Sequence, residues 1–502
     1  MTVSASAEGC VLGLDLGTSS LKAVLVTPDG RRLARAEWGY PTLSPAPGHA
    51  EQDPACWLQA LGEVVAALCR QSPTGLSSLT AIGLCSAAHL PVLLDGAGRV
   101  LRPAILWSDQ RSGEQVLRLE QEAGAAIRDL CWNEPGCTWT LPQLLWVWQH
   151  EPGVRTQVRH VLSSKDYLLL QLTGECLTDP ASAVATLMAE PLARRWSADL
   201  VSLAGLSEAC LPDLVGALEV AGRVTPVAAA LLGLPQGTPV ICGSLDSAAE
   251  LVGCGVLRTG DGGMVRVGSA GGVMALDQTT GYRPGFITYP WIDGQCLYRQ
   301  AGTNACATAL RWAARGLGLQ EGETLDHTRL DEVAGSVPAG SEGLLFHPYL
   351  MGERAPWWNP DLRGSFTGLE LRHGRGHLLR AVMEGVSHSL RDCLAMFEAQ
   401  GVHLDSAVMT GGITRGSLWP SIIADVLGIT LRTVPQGDSA TGAALMAAAG
   451  IGGATSLEEI CRAWISGGDV LEPDPNRARS YESDHSRYRR VARMLVEISA
   501  GE

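Results

Sequence analysis

Two apolar runs near the N-terminus, VLGLDLG and SSLKAVLVT, meet at the turn Gly17-Thr18-Ser19, and this layout returns far downstream in GGMVRVGSAGGVMAL, broken at Gly268-Ser269. Strand runs joined by a short glycine and hydroxyl turn belong in a sheet, and their recurrence calls for two sheets built alike. The repeat is one of layout, not of residues. It divides the chain near residue 250, into units 1–250 and 251–502. With 502 residues, 46% of them hydrophobic, the chain has apolar surface enough for two such cores.

After the turn Pro28-Asp29-Gly30 a third run, RRLARAEWGY, extends the first sheet. Asp53 then caps a helix with Pro54 at its first position, continuing through WLQALGEVVAALCR. LTAIGLCSAA is a further strand, ended by His89, and PVLLDGAGRVLRPAILW predicts two more around the turn Asp95 to Arg99. Residues 113–235 read as mostly helical, before the strand TPVICGSLD ends at Asp246 and a small-residue helix follows. Near the C-terminus LDSAVMTGGITRGSLWPSIIADVLGITLRTV predicts strand, glycine turn, helix and strand, and TGAALMAAAG a second small-residue helix. Strands interleaved with helices make the class α/β.

Asp and Glu outnumber Lys and Arg by 52 to 38, a net charge of -14, which argues against nucleic acid or an anionic membrane surface as partner. No run of 18 or more apolar residues offers a membrane span, and MTVSASAEGC lacks the basic region of a signal peptide. The expected compartment is the cytoplasm. The fourteen cysteines are scattered without a CxxC pair and read as reduced, buried apolar residues.

The stretch Asp15 to Lys22 places a carboxylate at a strand end and a turn rich in backbone N–H and hydroxyl donors beside it. Such a turn cradles phosphate, and the carboxylate holds magnesium directly or through water; a tight hairpin turn with a solvated Asp reads the same residues. Neither GxxxxGK[ST] nor GxGxxG can be read across it. Gly268-Ser269 is a second such turn, and Gly411 to Gly416 a third, where glycines let an adenine or ribose approach or simply turn strand into helix. Asp246 closes its strand either as a carboxylate facing a crevice or as a helix N-cap.

Together these segments resemble the FGGY family of carbohydrate kinases, in the superfamily of actin, hexokinase and the heat-shock ATPases. The most specific stretch is GSFTGLELRHGRGHLLRAVMEG, Gly364 to Gly385, joined by FHPYLMGERAPWWNP, DLGTSSLK, EQDPACW, LRPAILWSDQR and KDYL in the family's order. The resemblance implies two actin-like (ribonuclease H-like) domains flanking a cleft, and transfer of the γ-phosphoryl group of ATP, with Mg2+, to a sugar hydroxyl. It makes Asp246 the general base and links Asp15 to metal and phosphates. Thr18, Ser19 and Lys22 match the first phosphate loop, Gly268 and Ser269 the second, and Gly412 and Gly416 the adenosine loop. A homodimer is what such relatives suggest.

Within the family the ketopentose kinases match best, on EQDP, RPAILW, LLW, KDYLLLQLTGE and YLMGER, which implies D-xylulose as acceptor. Three departures fall in the implied sugar pocket: Ser86-Ala87-Ala88-His89-Leu90 stands for GQMHG, Trp107-Ser108-Asp109 for WND, and Asp246-Ser247 for Asp-Asn. His89, Asp109, Asp246 and Ser247 are therefore the sugar-contact candidates, with ribulose, fuculose, gluconate or a polyol as other acceptors. A silent sugar- and nucleotide-binding regulator is the alternative outside enzymes. Trp357 and Trp358 read as packing or as a sugar-stacking pair, and Glu384 as structural.

Overall fold

The computed structural model describes residues 9–320, 325–453, 455–465 and 467–500. The first sheet has six strands in the spatial order Val220–Arg223, Pro239–Leu245, Leu79–Ser86, Cys10–Leu16, Ser20–Val26, Arg32–Gly39. Its first three strands in sequence form the expected antiparallel meander, and Leu79–Ser86 and Pro239–Leu245 add in parallel on the other side of Cys10–Leu16. The central strands are buried on both faces, as parallel strands must be when helices cover them. One covering helix, Pro54–Gln71, is capped by Asp53, whose carboxylate accepts from Ala55 N–H, and buries Trp57, Leu61, Val64 and Leu68 on one stripe.

The second sheet repeats the plan. Gly263–Val267, Gly271–Asp277, Leu297–Thr303 and Ile287–Pro290 run antiparallel, while Ser406–Thr410 and Thr430–Thr433 join in parallel, with Val470–Leu471 at the edge. In each half, then, a hairpin's first strand sits between its antiparallel partner and a parallel neighbour. The repeated layout in the sequence is this repeated sheet.

Two helices join the halves. Asp246–Gly253 and Ser439–Ile451 cross in close contact, and the latter also lies on Cys10–Leu16 and Leu79–Ser86. Glycine makes the approach possible: a Cβ would stand 1.7 Å from Ala249 O at Gly442, 2.0 Å from Ala440 O at Gly13 and 1.9 Å from Ala443 O at Gly83. One core therefore runs through both halves, with Val11, Ala81, Val252, Met264, Val408 and Ala443 among its members.

The segment 91–107 departs from the expected strand pair. Val92–Leu94 pairs with His160–Leu162, and past the Asp95–Arg99 turn only Val100 bridges back, to Leu94, before Pro103, with no N–H to donate. Ala104–Ile105 pairs instead with Glu51–Gln52. The cysteines form no disulfide, and among the described residues no helix is long and apolar enough to cross a membrane.

Candidate active site

Asp15 and Asp246 stand at the ends of strands in the first sheet, separated there by Leu79–Ser86. Asp15 is 5% exposed, and burial first and the charge of Asp246 next push its pKa up to about 7, against the pull of Lys22. Lys22 Nζ lies 4.0 Å from Asp15 Oδ2, and the Cys85 thiol donates to Asp15 Oδ1 at 3.7 Å. Asp246 is not a helix N-cap: Leu245 holds the cap position, and Asp246 opens the helix with Oδ1 accepting from Ser247 N–H at 2.7 Å. Its carboxylate, half-buried, is raised above the ordinary range by burial, while Arg266 opposes the rise.

Arg266 went unnoticed in the sequence. It sits one residue before the end of Gly263–Val267, ion-paired to the buried Glu250 at 3.3 Å, with Asp246 and Asp15 also in its field. Thr410 Oγ1 donates to Glu250 at 2.9 Å and fixes the other carboxylate oxygen. Acids from one half and a cation from the other thus meet where the strand ends converge.

The phosphate-loop candidates lie on three turns. Thr18 is braced: its hydroxyl accepts from the Trp107 indole N–H at 3.0 Å and its carbonyl from Gln52 at 2.6 Å, and Tyr40 donates to Gly17 O. Ser19 is exposed between them. On the second turn the carbonyls of Gly268 and Ser269 accept from Ala307 and Cys306 N–H, each at 2.9 Å, and Arg311 donates to Ser269 Oγ at 3.0 Å. Gly411 has φ +109°, and a Cβ on it would lie 2.2 Å from Val267 O, so glycine there brings the third turn against the second. Gly412 opens into free space, and Gly416 borders Asp331, whose carboxylate accepts from Ser417 and Leu418 N–H.

The sugar-side candidates are more committed to the protein than the sequence suggests. Asp109 is 1% exposed, with Arg111 gripping both its oxygens at 2.8–3.0 Å and Ala50 N–H donating to Oδ2 at 2.5 Å. Its carboxylate thus locks a loop. Trp107, beside it, is the residue that reaches the first turn. Ser247 Oγ is 3.0 Å from Tyr298 OH. His89 sits between Ala185 O and Tyr289 OH, each at 2.8 Å, and burial lowers its pKa to about 4, so the ring is neutral. Both tyrosines come from the C-terminal half. Trp357 donates to Tyr349 OH and Trp358 to Gly285 O, and Glu384 is buried, accepting from Arg380, Tyr481, Ser341 and Gly340 N–H.

Beneath the strand that leads into Asp246, Lys165 is buried with Nζ 2.8 Å from Asp166, 3.3 Å from Asp179 and 3.0 Å from Cys242 O. Ser244 Oγ donates to Asp179 at 2.7 Å. A buried charge so enclosed fixes the strand two residues before Asp246.

Family models match this chain over residues 10–253, as the N-terminal domain of the FGGY family of carbohydrate kinases, and over 249–451, as its C-terminal domain. The xylulose kinase of Bacillus subtilis is 31% identical over 486 residues, covering 96% of each chain, and that of Escherichia coli 32% over 493, covering 97% of this chain and all of that one. The crystal structure of xylulose kinase from Rhodospirillum rubrum superposes with a TM-score of 0.89 at 34% identity, over 98% of this chain and 100% of that one. Two sheets of one plan, acids and cations converging between them and this likeness over the whole length lead to one conclusion: the chain belongs to the FGGY family of carbohydrate kinases, with its two-domain actin-like fold, and is an ATP-dependent sugar kinase.

Proposed function

We propose that this kinase phosphorylates a ketopentose, D-xylulose first, with Asp246 as general base. The observation that carries the chemistry is the position of Asp246: at a strand end, uncommitted to capping, with the cations Lys22 and Arg266 in its field. The sugar rests on the relatives, xylulose kinases along their whole length. Phosphoryl transfer asks for alignment and charge neutralisation, and a carboxylate raised toward neutral pH accepts the hydroxyl proton late in the transfer. Residues up to about 250 then form the acceptor half and the rest the nucleotide half, with Thr18, Ser19, Lys22, Gly268 and Ser269 around the phosphates and Gly412 and Gly416 beside adenosine.

Asp15 fits a magnesium ion. Among the described residues no set of three or more metal-ligating side chains is preassembled, and Mg2+ takes one or two carboxylates, water and substrate phosphates rather than a protein cage. When bound, the ion offsets phosphate charge that the acids would otherwise oppose. A cytoplasmic address accords with the disulfide-free cysteines. His89 and Ser247 contact the sugar once their tyrosine partners yield, whereas Asp109 shapes the pocket through its loop.

The test is ADP release with ATP and magnesium over ketopentoses, aldoses, polyols and sugar acids. D-xylulose is expected to give the highest kcat/KM. A sugar acid or polyol ahead of every ketopentose overturns the acceptor, and nucleotide binding without turnover on any acceptor overturns the kinase reading of Asp246.

A further inference from the structure

The side chain of His89 has no free nitrogen. Its Nδ1 lies 2.8 Å from the Ala185 carbonyl, which only accepts, so Nδ1 carries the proton and Nε2 is the acceptor. The Tyr289 hydroxyl, 2.8 Å from Nε2, must then donate to it. Trp139 closes another side of the imidazole, edge-on at 4.5 Å, and Tyr289 is itself only 2% exposed.

Tyr289 is held there from its backbone. It belongs to Ile287–Pro290, the edge strand of the second sheet, and Asn133 of the first half acts as a strand neighbour to that edge. The Asn133 amide donates to Thr288 O at 2.9 Å and accepts from Thr288 N–H at 2.8 Å, fully buried. Tyr298, with its ring 5.3 Å from that of Tyr289, covers Ser247 in the same way. Two tyrosines from the C-terminal half therefore occupy polar groups of His89 and Ser247, and Tyr289 lies within the field of Asp246.

We propose that Tyr289 is a plug in the acceptor site: its hydroxyl holds Nε2 of His89 until a sugar hydroxyl displaces it. This rests on the sugar-kinase reading of the cleft. The proton order sets the exchange rule, because only a donor, a sugar hydroxyl, replaces the tyrosine on Nε2.

The experiment measures acceptor kinetics of the wild type and Tyr289→Phe side by side. Phe keeps the ring and removes the competing hydroxyl, so the acceptor KM is expected to fall twofold to tenfold, the span of one neutral hydrogen bond, with kcat within twofold. A KM for Tyr289→Phe that is unchanged or raised overturns the plug. Failure of the wild type to phosphorylate any acceptor defeats the kinase reading instead, so the two failures are distinguishable.

Discussion

The two hairpins place opposite charges at one position. In the first half Asp15 stands one residue before the end of its strand, opposite Lys22 on the returning strand; in the second Arg266 stands one residue before the end of its strand, opposite Gly272. The helices that cross between the halves differ in the same manner. Asp246 opens the helix after Pro239–Leu245 with its carboxylate turned from capping, whereas Asp438, before the helix after Thr430–Thr433, spends its carboxylate on Thr441 N–H and on Arg35 at 3.4 Å. A repeated scaffold thus presents an acid and a cation at matching strand ends, and at matching helix starts one aspartate that accepts only from its neighbour Ser247 N–H and one that both caps and ion-pairs. On the proposed reading of Asp246 as base, this asymmetry corresponds to different work in the two halves: proton acceptance in one, charge neutralisation in the other.

The sharpest way to break this comparison is to neutralise the first of the two aspartates. Asp246→Asn is expected to lower kcat by about 10²- to 10⁴-fold with nucleotide binding retained, measured by ADP release and nucleotide titration. Undiminished turnover would show that this carboxylate is not the base. Next in size is the contact that holds the two helices together. Gly442→Ala forces a methyl to within 1.7 Å of Ala249 O, between backbones that cannot yield, and is expected to destabilise by about 1–3 kcal/mol in denaturant unfolding. A neutral result would mean that the crossing is looser than its geometry.

Arg266→Gln tests the cation. Arg266 lowers the pKa of Asp246, so its removal disfavours the carboxylate and moves the acid limb of the kcat/KM profile to higher pH; it also strips Glu250 of its ion pair. The expected readout is that shift together with a rise of about tenfold in the KM for ATP. An acid limb that stays put would detach Arg266 from the base.

Much of this was legible beforehand because local chemistry decides it. Asp53 with Pro54 started a helix, Gly17-Thr18-Ser19 turned a hairpin, and the hairpin recurred where GGMVRVGSAGGVMAL placed it. What escaped is what strands bring together from far apart. Arg266 looked like any charge in an alternating strand; only alignment of the two hairpins by register, setting it against Asp15, would have singled it out. Tyr289 and Tyr298 act across the cleft on His89 and Ser247, and no spacing along the chain signals that. Asp109 was placed by its neighbours in sequence, yet Arg111, two residues on, claims both of its oxygens.

Asp438 carries the smallest expected effect and the cleanest contrast. It stands where the second half would hold a counterpart of Asp246, and it is near enough to Asp15 to raise that carboxylate's pKa, so proximity alone would make it a second catalytic acid. Its bonds argue otherwise. A carboxylate that caps Thr441 N–H and pairs with a half-exposed Arg35 has its charge already assigned. Asp438→Ala should therefore cost about 1 kcal/mol, mostly the lost cap, since an exposed ion pair adds little. Denaturant unfolding reads that cost, and in steady-state kinetics kcat is expected to stay within a few-fold of the wild type. A fall in kcat comparable with that of Asp246→Asn would mean that the two helix starts share the chemistry, and the division of work between the halves would have to be redrawn.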